Sequence, residues 1–404
     1  MKTVAVVGGG ASGMLAALAA AHAGAQVHLF ERQARLGRKL AATGNGRCNL
    51  TNLQAGPHHF HGGDPSFAAY ALERFSPERT LEAFRELGLL TVAEPGGRVY
   101  PLSDSAGSVV DVLRFALDAL GVVQHMGVSV QRIRRSGSGF RLSWEEGAQI
   151  ADAVIIACGG AAGGKLGGSH SGYTLLEALG HSCTPLQPAL VQLRTEGTWT
   201  RALKGVRATA EVTLRRGGKE TARASGEVQF TEYGLSGPLI FDLSRQAREG
   251  GACQLRLDLL PGISHSEVRA LLQQRVSTRP ALLLDDIFTG TVQNRIGRVL
   301  VKYAGLSGNQ PLQSCKGKEL DELVSAVKGM TFTVDGDLGF DNAQVTAGGI
   351  STREFDPGTM ESQLCPGLYA CGEVLDVDGD CGGYNLQWAW SSGLLAGLNA
   401  GARE

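Results

Sequence analysis

The chain has 404 residues, 43% apolar and 19% charged, with 57 glycines and a formal net charge of −1. That length can bury a large core and suggests two or three domains, while the near-neutral balance gives no bulk attraction to nucleic acid or anionic membrane. Eight cysteines without C-x-x-C or zinc spacing speak against a metal centre and a disulfide framework, and for reduced thiols in a cytoplasmic protein. No stretch approaches the roughly 18 apolar residues of a membrane span. The apolar run 14–21 lies between a glycine turn and a second strand, which are the wrong flanks for a signal peptide.

Residues 3–7 (T-V-A-V-V) have the composition of a buried parallel strand. Gly8, Gly10 and Gly13 follow with the spacing G-x-G-x-x-G, and residues 12–23 are almost pure helix former. In that pattern the first glycine makes the tight turn and the second admits a pyrophosphate. The third lets helix pack on strand, and the helix points its positive end at the phosphates. A second strand, 26–31, ends in Glu31, where the fingerprint requires an acid for a ribose hydroxyl. Strand, glycines, helix and acid together predict a bound dinucleotide.

Arg32, Arg35, Arg38 and Lys39 then lead into Thr43-Gly-Asn-Gly-Arg47, a basic glycine-rich loop. It suits either a phosphate or polarised ring, or plain solvent; beside a dinucleotide site the ligand reading gains. Helical spacing marks 67–74, 77–88 and 108–120, with a turn and short extended piece at 96–101. Residues 122–133, 140–144 and 153–157 are strand-like, joined by hairpin turns at 136–139 and 145–147. Such a meander accompanies the adenosine half of a flavin dinucleotide fold. The last run ends on Gly159 and Gly160, and a helix over 173–179 stops at Gly180.

After Pro185 and Pro188 short β-rich runs at 208–215, 227–231 and 254–259 alternate with turns at 216–219 and 234–238. This predicts a small, mostly antiparallel β domain. Helices are expected at 264–275, 281–287, 292–303 and 318–328, before a strand at 330–334 returns to the β domain. The basic groups Arg201, Lys204, Arg207, Arg215, Arg216 and Lys219 read as a solvated face. Near the C-terminus, strands close on Gly348-Gly349 and on Gly372-Glu373. Gly382-Gly383 then opens a helix to about residue 400. A helix N-terminus there would favour negative charge on a reduced flavin.

Residues 43–52 (T-G-N-G-R-C-N-L-T-N), 372–379 (G-E-V-L-D-V-D-G) and 382–393 (G-G-Y-N-L-Q-W-A-W-S-S-G) resemble the BaiN/RdsA-type NAD(P)/FAD-dependent oxidoreductases. These are also described as YhiN-type or aminoacetone-oxidase-family flavoproteins. The resemblance runs along the whole chain, through 97–101, 158–160 and 346–349. It implies an α/β protein: a Rossmann-like, two-dinucleotide-binding-fold FAD domain (1–188 with 349–404), an inserted antiparallel β domain (189–262 with 329–348) and a helical insertion within it (263–328).

Carried over residue by residue, Gly8, Gly10, Ser12 and Gly13 hold the pyrophosphate and Glu31 the adenosine ribose. Arg32, Lys39, Thr43, Gly44, Asn45, Gly46 and Asn49 line the pyrophosphate and flavin, and Val130 offers backbone to adenine. Gly159, Gly160, Gly372, Glu373, Asp376, Gly383, Tyr384, Asn385 and Leu386 complete the cradle. The chain departs from the family pattern at Glu232, where histidine is usual, and at Cys158 and Cys381, where threonine is commoner.

FAD in this setting implies hydride transfer, with NADH or NADPH as transient reductant, and reduction of an activated C=C bond by hydride plus a proton. The proton-donor candidates are Cys48, Glu232 and Tyr384, with Cys48 equally readable as a packed thiol. The substrate is either a steroid-like enone or a uracil ring of ribosomal RNA; neither DNA nor membrane is implied, and the oligomeric state is left open. The alternatives are an amine oxidase using oxygen and a flavin-binding redox sensor without turnover.

Overall fold

The computed structural model describes residues 1–248 and 251–402. Its contacts divide the chain into two compact units, Met1–Pro188 with Phe340–Glu404, and Ala189–Gly339. The sequence reading places the return to the first unit at 349. It lies at 340 because the strand Met330–Asp337 closes the β structure, whereas the Phe340 carbonyl already accepts the Gly163 N–H at 2.8 Å.

Among the described residues the first unit holds a five-stranded parallel sheet. Its order is Leu368–Ala370, Ala153–Ile156, Thr3–Val7, Gln26–Glu31, Val123–Met126. The inner strands are valine- and isoleucine-rich because both faces are covered. The expected strand over 122–133 is broken at Gly127 (φ +74°). Its first part edges this sheet, and its second, Arg132–Ser136, joins an antiparallel meander with Gly139–Trp144 and Gly147–Ala151. The basic loop after Glu31 contains a short helix, Arg38–Ala42, entered through a left-handed Gly37.

The first helix, Ala11–His22, is buried over residues 12–20, since its other side is taken by the C-terminal helix, Tyr384–Gly401. Cβ atoms added to Gly393 and Gly397 would overlap the carbonyl oxygens of Ser12 and Ala16, and one on Gly401 would stand 2.7 Å from that of Ala20. The two helices therefore run in the same direction with their backbones in contact, four residues matched to four. Trp388 and Trp390 flank this seam fully buried, with indole N–H groups bonded to Gly372 O (3.1 Å) and Leu50 O (2.8 Å).

Gln387 ties three segments to that helix without any exposure. Its amide nitrogen, with two protons to donate, lies 3.0, 2.9 and 2.8 Å from Phe75 O, Thr80 Oγ1 and Ser391 Oγ, and its carbonyl accepts from the Thr51 hydroxyl. A buried amide with all partners satisfied is expensive to remove, because the partners are stranded. Gln387→Leu is expected to destabilise by about 2–4 kcal/mol, read as a lower urea midpoint.

Three imidazoles of this unit are held below their ordinary pKa, each chiefly by burial. His28 and His125 share a 3.0 Å ring-nitrogen contact, His125 stacks on Phe30, and His181 lies beside Ser362. Below the unfolded value near 6.5 the unfolded chain takes up protons that the folded chain resists. Their contribution is thus present above pH ~6.5 and lost as pH falls through the depressed folded values. The urea midpoint is expected to be lower at pH 5.5 than at pH 7.5, by less in His125→Phe.

The second unit is a closed six-stranded antiparallel barrel among the described residues. Its order is Leu193–Thr195, Gly234–Ser236, Lys219–Phe230, Arg207–Arg216, Cys253–Asp258, Met330–Asp337. Helices His265–Thr278, Asn294–Tyr303 and Gly317–Gly329 share one apolar core with it, Leu272, Leu300 and Leu323 joining Val212, Leu255 and Phe332. The helical stretch 263–328 is therefore packed on the barrel and has no core of its own.

Two local expectations fail here. Residues 234–238 form a strand and then open a helix, Pro238–Arg248, with proline at its first position. The stretch 281–287 yields only a short turn, Leu284–Asp286, because Leu283 is extended and bridges to Pro311. The basic residues read as a solvated face are exposed, except Arg216, which is half-buried.

Candidate functional site

The glycine fingerprint shows its three roles in its geometry. Gly8 is left-handed (φ +111°), and a Cβ there would overlap the Ala157 carbonyl. A Cβ on Gly13 would overlap the Gly8 carbonyl, so helix and turn touch through backbone. Gly10 differs: a Cβ would meet nothing within 4 Å. It precedes the first helix with no side-chain cap and no acid in the first turn, which leaves an open, positively polarised end. Glu31 closes this turn, its two oxygens accepting the N–H groups of Gly9 (2.8 Å) and Gln33 (2.7 Å). The Val128 N–H donates to Glu31 O at 3.0 Å and brings the buried Val130 alongside.

Around this end, Arg32 donates to the carbonyls of Gly167 (2.6 Å) and Gly168 (3.3 Å). Lys39 pairs with Glu373 at 2.8 Å, and the other Glu373 oxygen accepts the Thr346 N–H at 2.9 Å. That carboxylate fills the space a Cβ on Gly160 would need, whereas Gly159 (φ +70°) borders open space. Ser12 packs against Gly372, whose N–H donates to Ser392 Oγ at 3.0 Å. Asp376 is buried and accepts the Gly63 N–H at 3.0 Å.

The loop after Thr43 is left-handed at Gly44, Asn45, Gly46 and Cys48, with φ of 57°, 57°, 86° and 61°. The N–H groups of Arg47 and Cys48 close the loop on the carbonyls of Gly44 (3.2 Å) and Thr43 (3.0 Å). Thr43 itself bonds back to Leu40 O at 2.7 Å. Asn49 Oδ1 is buried without a hydrogen-bond partner among the described residues, 2.9 Å from where a Gly383 Cβ would lie. Gly383 (φ +102°) precedes the C-terminal helix with no side-chain cap. Asn385 braces the preceding turn, its amide exchanging 2.8 Å hydrogen bonds with Gly379 N and O, and Leu386 is half-buried.

The matched seam fixes how these two helix ends relate. Ser12 lies against Gly393, so the C-terminal helix runs on for ten residues past that level to Gly383. The first helix extends two residues past the same level to Gly10, so at 1.5 Å per residue the two positive ends face the same way, about 12 Å apart along the helix direction.

The three proton-donor candidates fare differently. Cys48 has no exposure, and burial pushes its thiol up to about 12 despite a Thr43 hydrogen bond. A thiol sealed in the apolar core reaches no substrate, so the packed-thiol reading is the one the structure favours. Glu232 belongs to the other unit and is exposed; its 2.5 Å bond to Lys204 holds its carboxyl below the usual range. It is ionised at neutral pH and has no proton to give. Tyr384 is 6% exposed, stacked on His59 at 4.2 Å and edge-on to Phe60 at 6.4 Å.

The sequence reading overlooked His59, His61 and Asp380, which meet beside Tyr384. The available signal was local: three histidines within residues 58–61.

A parallel sheet with an open glycine turn at its first crossover, and a second glycine-bounded helix end beside it, defines a Rossmann-type dinucleotide-binding protein. Residues 2–399 match the HI0933-like protein Rossmann domain, and the chain belongs to that family. It is 41% identical over 409 residues to the 3-dehydro-bile acid delta(4,6)-reductase of Clostridium scindens, covering 100% of both chains. It is 29% identical over 390 residues to the ribosomal RNA dihydrouridine synthase of Escherichia coli, covering 96% of this chain and 95% of that one. Among solved structures, the 3-ketosteroid-delta4-(5alpha)-dehydrogenase of Rhodococcus jostii RHA1 in complex with 4-androstene-3,17-dione matches with a TM-score of 0.50 and 17% identity. That match spans 99% of this chain and 96% of the other, and it speaks to fold alone. Among the described residues no helix is long and apolar enough to cross a membrane, and no cluster of three or more metal-ligating side chains is present.

Proposed function

We propose that this protein binds one FAD between Gly10 and Gly383 and, with a reduced nicotinamide as electron source, reduces a conjugated C=C bond in a small enone of the bile-acid or steroid type. The observation that carries the reading is the pair of uncapped helix ends, facing one way about 12 Å apart, an offset suited to an extended dinucleotide. Two further features fit that cofactor: the space left open at Gly10 and the unpartnered Asn49 oxygen beside Gly383.

In this reading the amides of residues 11–13 take the pyrophosphate, Glu31 the adenosine ribose, and Val130 backbone the adenine. Arg32, Lys39 and Glu373 hold the walls in place. Residues 43–49 and 383–386 take the flavin ring, and the positive end of the C-terminal helix favours negative charge there. Bound FAD supplies hydride transfer to an electron-poor carbon. A small enone is preferred to ribosomal RNA because the full-length relative at 41% identity carries a bile-acid reductase name, and the net charge of −1 offers nothing to a polyanion.

The test is a purified, FAD-loaded protein in anaerobic stopped flow. Rapid reduction by NADH or NADPH and rapid reoxidation by a 3-oxo-4,6-diene steroid are expected, with slow reoxidation by air. Reoxidation by a ribosomal RNA transcript but not by the steroid would move the substrate to RNA. Fast reoxidation by oxygen would mean an oxidase, and no reduction by either nucleotide a sensor. Protein that stays colourless in excess FAD would overturn the reading altogether.

A further inference from the structure

His59 and His61 share one carboxylate. His59 Nδ1 lies 2.8 Å from Asp380 Oδ2, and His61 Nε2 lies 2.7 Å from Asp380 Oδ1. Backbone holds the arrangement: Phe60–His61 pairs antiparallel with Asp378–Gly379, and the Asp380 N–H donates to His59 O at 3.0 Å. The Asp380 carbonyl in turn accepts the Asn385 amide at 3.3 Å, which ties the cluster to the first turn of the C-terminal helix. The His59 ring lies flat on Tyr384, with centroids 4.2 Å apart and planes 25° from parallel.

Burial raises the Asp380 pKa, but the hydrogen bonds from His61 and His59 more than offset it, so the carboxyl sits below its usual range. An ionised carboxylate only accepts, so each imidazole must present an N–H to it. For His59 that proton is on Nδ1, and Nε2 becomes the exchanging atom. Nε2 makes no hydrogen bond among the described residues, and the side chain is 21% exposed. The titratable groups around the ring are Asp380, His61, His58 (centroids 4.1 Å apart) and Tyr384. A carboxylate that orients an imidazole through Nδ1 and leaves Nε2 unengaged is an arrangement suited to acid–base work.

We propose that His59 is the proton donor of this site, with Asp380 as its positioning residue. The proposal rests on the C=C-reductase reading above. As hydride arrives at the electron-poor carbon, the π electrons of the double bond move onto the neighbouring carbon and its conjugated carbonyl. The Nε2–H bond of the His59 imidazolium breaks, a C–H bond forms at that neighbour, and neutral imidazole remains until water reprotonates it. One hydride and one proton saturate the bond; the two electrons come from the reduced nicotinamide.

The test reduces the FAD-loaded protein with dithionite under anaerobic conditions, mixes it with a 3-oxo-4,6-diene steroid and follows reoxidation from pH 5.5 to 9. The wild-type rate is expected to fall as pH rises through one ionisation. In His59→Gln, with FAD content equal to wild type, it should drop by about 10²–10⁴-fold and lose that pH dependence. Independently of turnover, imidazole ¹⁵N NMR of the wild type should show neutral His59 as the Nδ1–H tautomer, a preference lost in Asp380→Asn. An Nε2–H tautomer, or a His59→Gln variant with wild-type rate and profile, overturns the proposal while leaving the functional reading intact. A wild-type protein that holds FAD but is not reoxidised by the steroid sinks both.

Discussion

Gly397→Leu is expected to destabilise the first unit by about 3 kcal/mol or more. Two effects oppose each other. Leaving glycine gains up to about 1 kcal/mol of helix propensity. The new Cβ, however, would overlap the Ala16 carbonyl and stand 2.7 Å from the Ala19 Cβ, and neither can retreat because the first helix is buried on all sides. The helix pair must part, so the clash wins. Urea unfolding of the apo-protein checks the magnitude, with the one-third-exposed Leu398→Gln as a control expected to change little. Because the same seam sets the offset between the two helix ends, FAD affinity should fall along with stability.

Gly10→Asp is expected to separate those two quantities. Gly10 has φ −81° and ψ −167°, which any residue adopts, and a Cβ there meets nothing. Aspartate at this position caps the first helix about as well as any residue, so stability should be unchanged or rise by a few tenths of a kcal/mol. The same carboxylate would project into the space assigned to the pyrophosphate and repel it. A loss of about 100-fold in FAD affinity, roughly 2.7 kcal/mol, is expected in fluorescence titration of the apo-protein, with an unchanged urea midpoint. Wild-type affinity would mean that the phosphates lie elsewhere.

These two glycines mark the boundary of what could be read in advance. Gly10 was legible because its requirement is local: strand, turn, helix and acid lie within thirty-one residues, and each glycine answers a backbone constraint set by its neighbours. Gly393, Gly397 and Gly401 stand four apart in the same sequence, but their partners are Ser12, Ala16 and Ala20, and nothing local says which helix will come so close. Cys48 is a parallel case. Its motif places it near the cofactor loop, while its burial depends on distant chain packing over it.

What the amino-acid order determined by itself was the dinucleotide turn, the alternation of elements in the first unit and the β-rich character of the second. All of these follow from φ/ψ preference and short-range periodicity. Only the tertiary structure decided the offset of about 12 Å between the helix ends, the closure of the barrel and the meeting of His59 and His61 with Asp380 across more than three hundred residues. Long-range pairings of that kind are selected by the packing of whole faces and by loop closure, and neither leaves a signature in neighbouring residues.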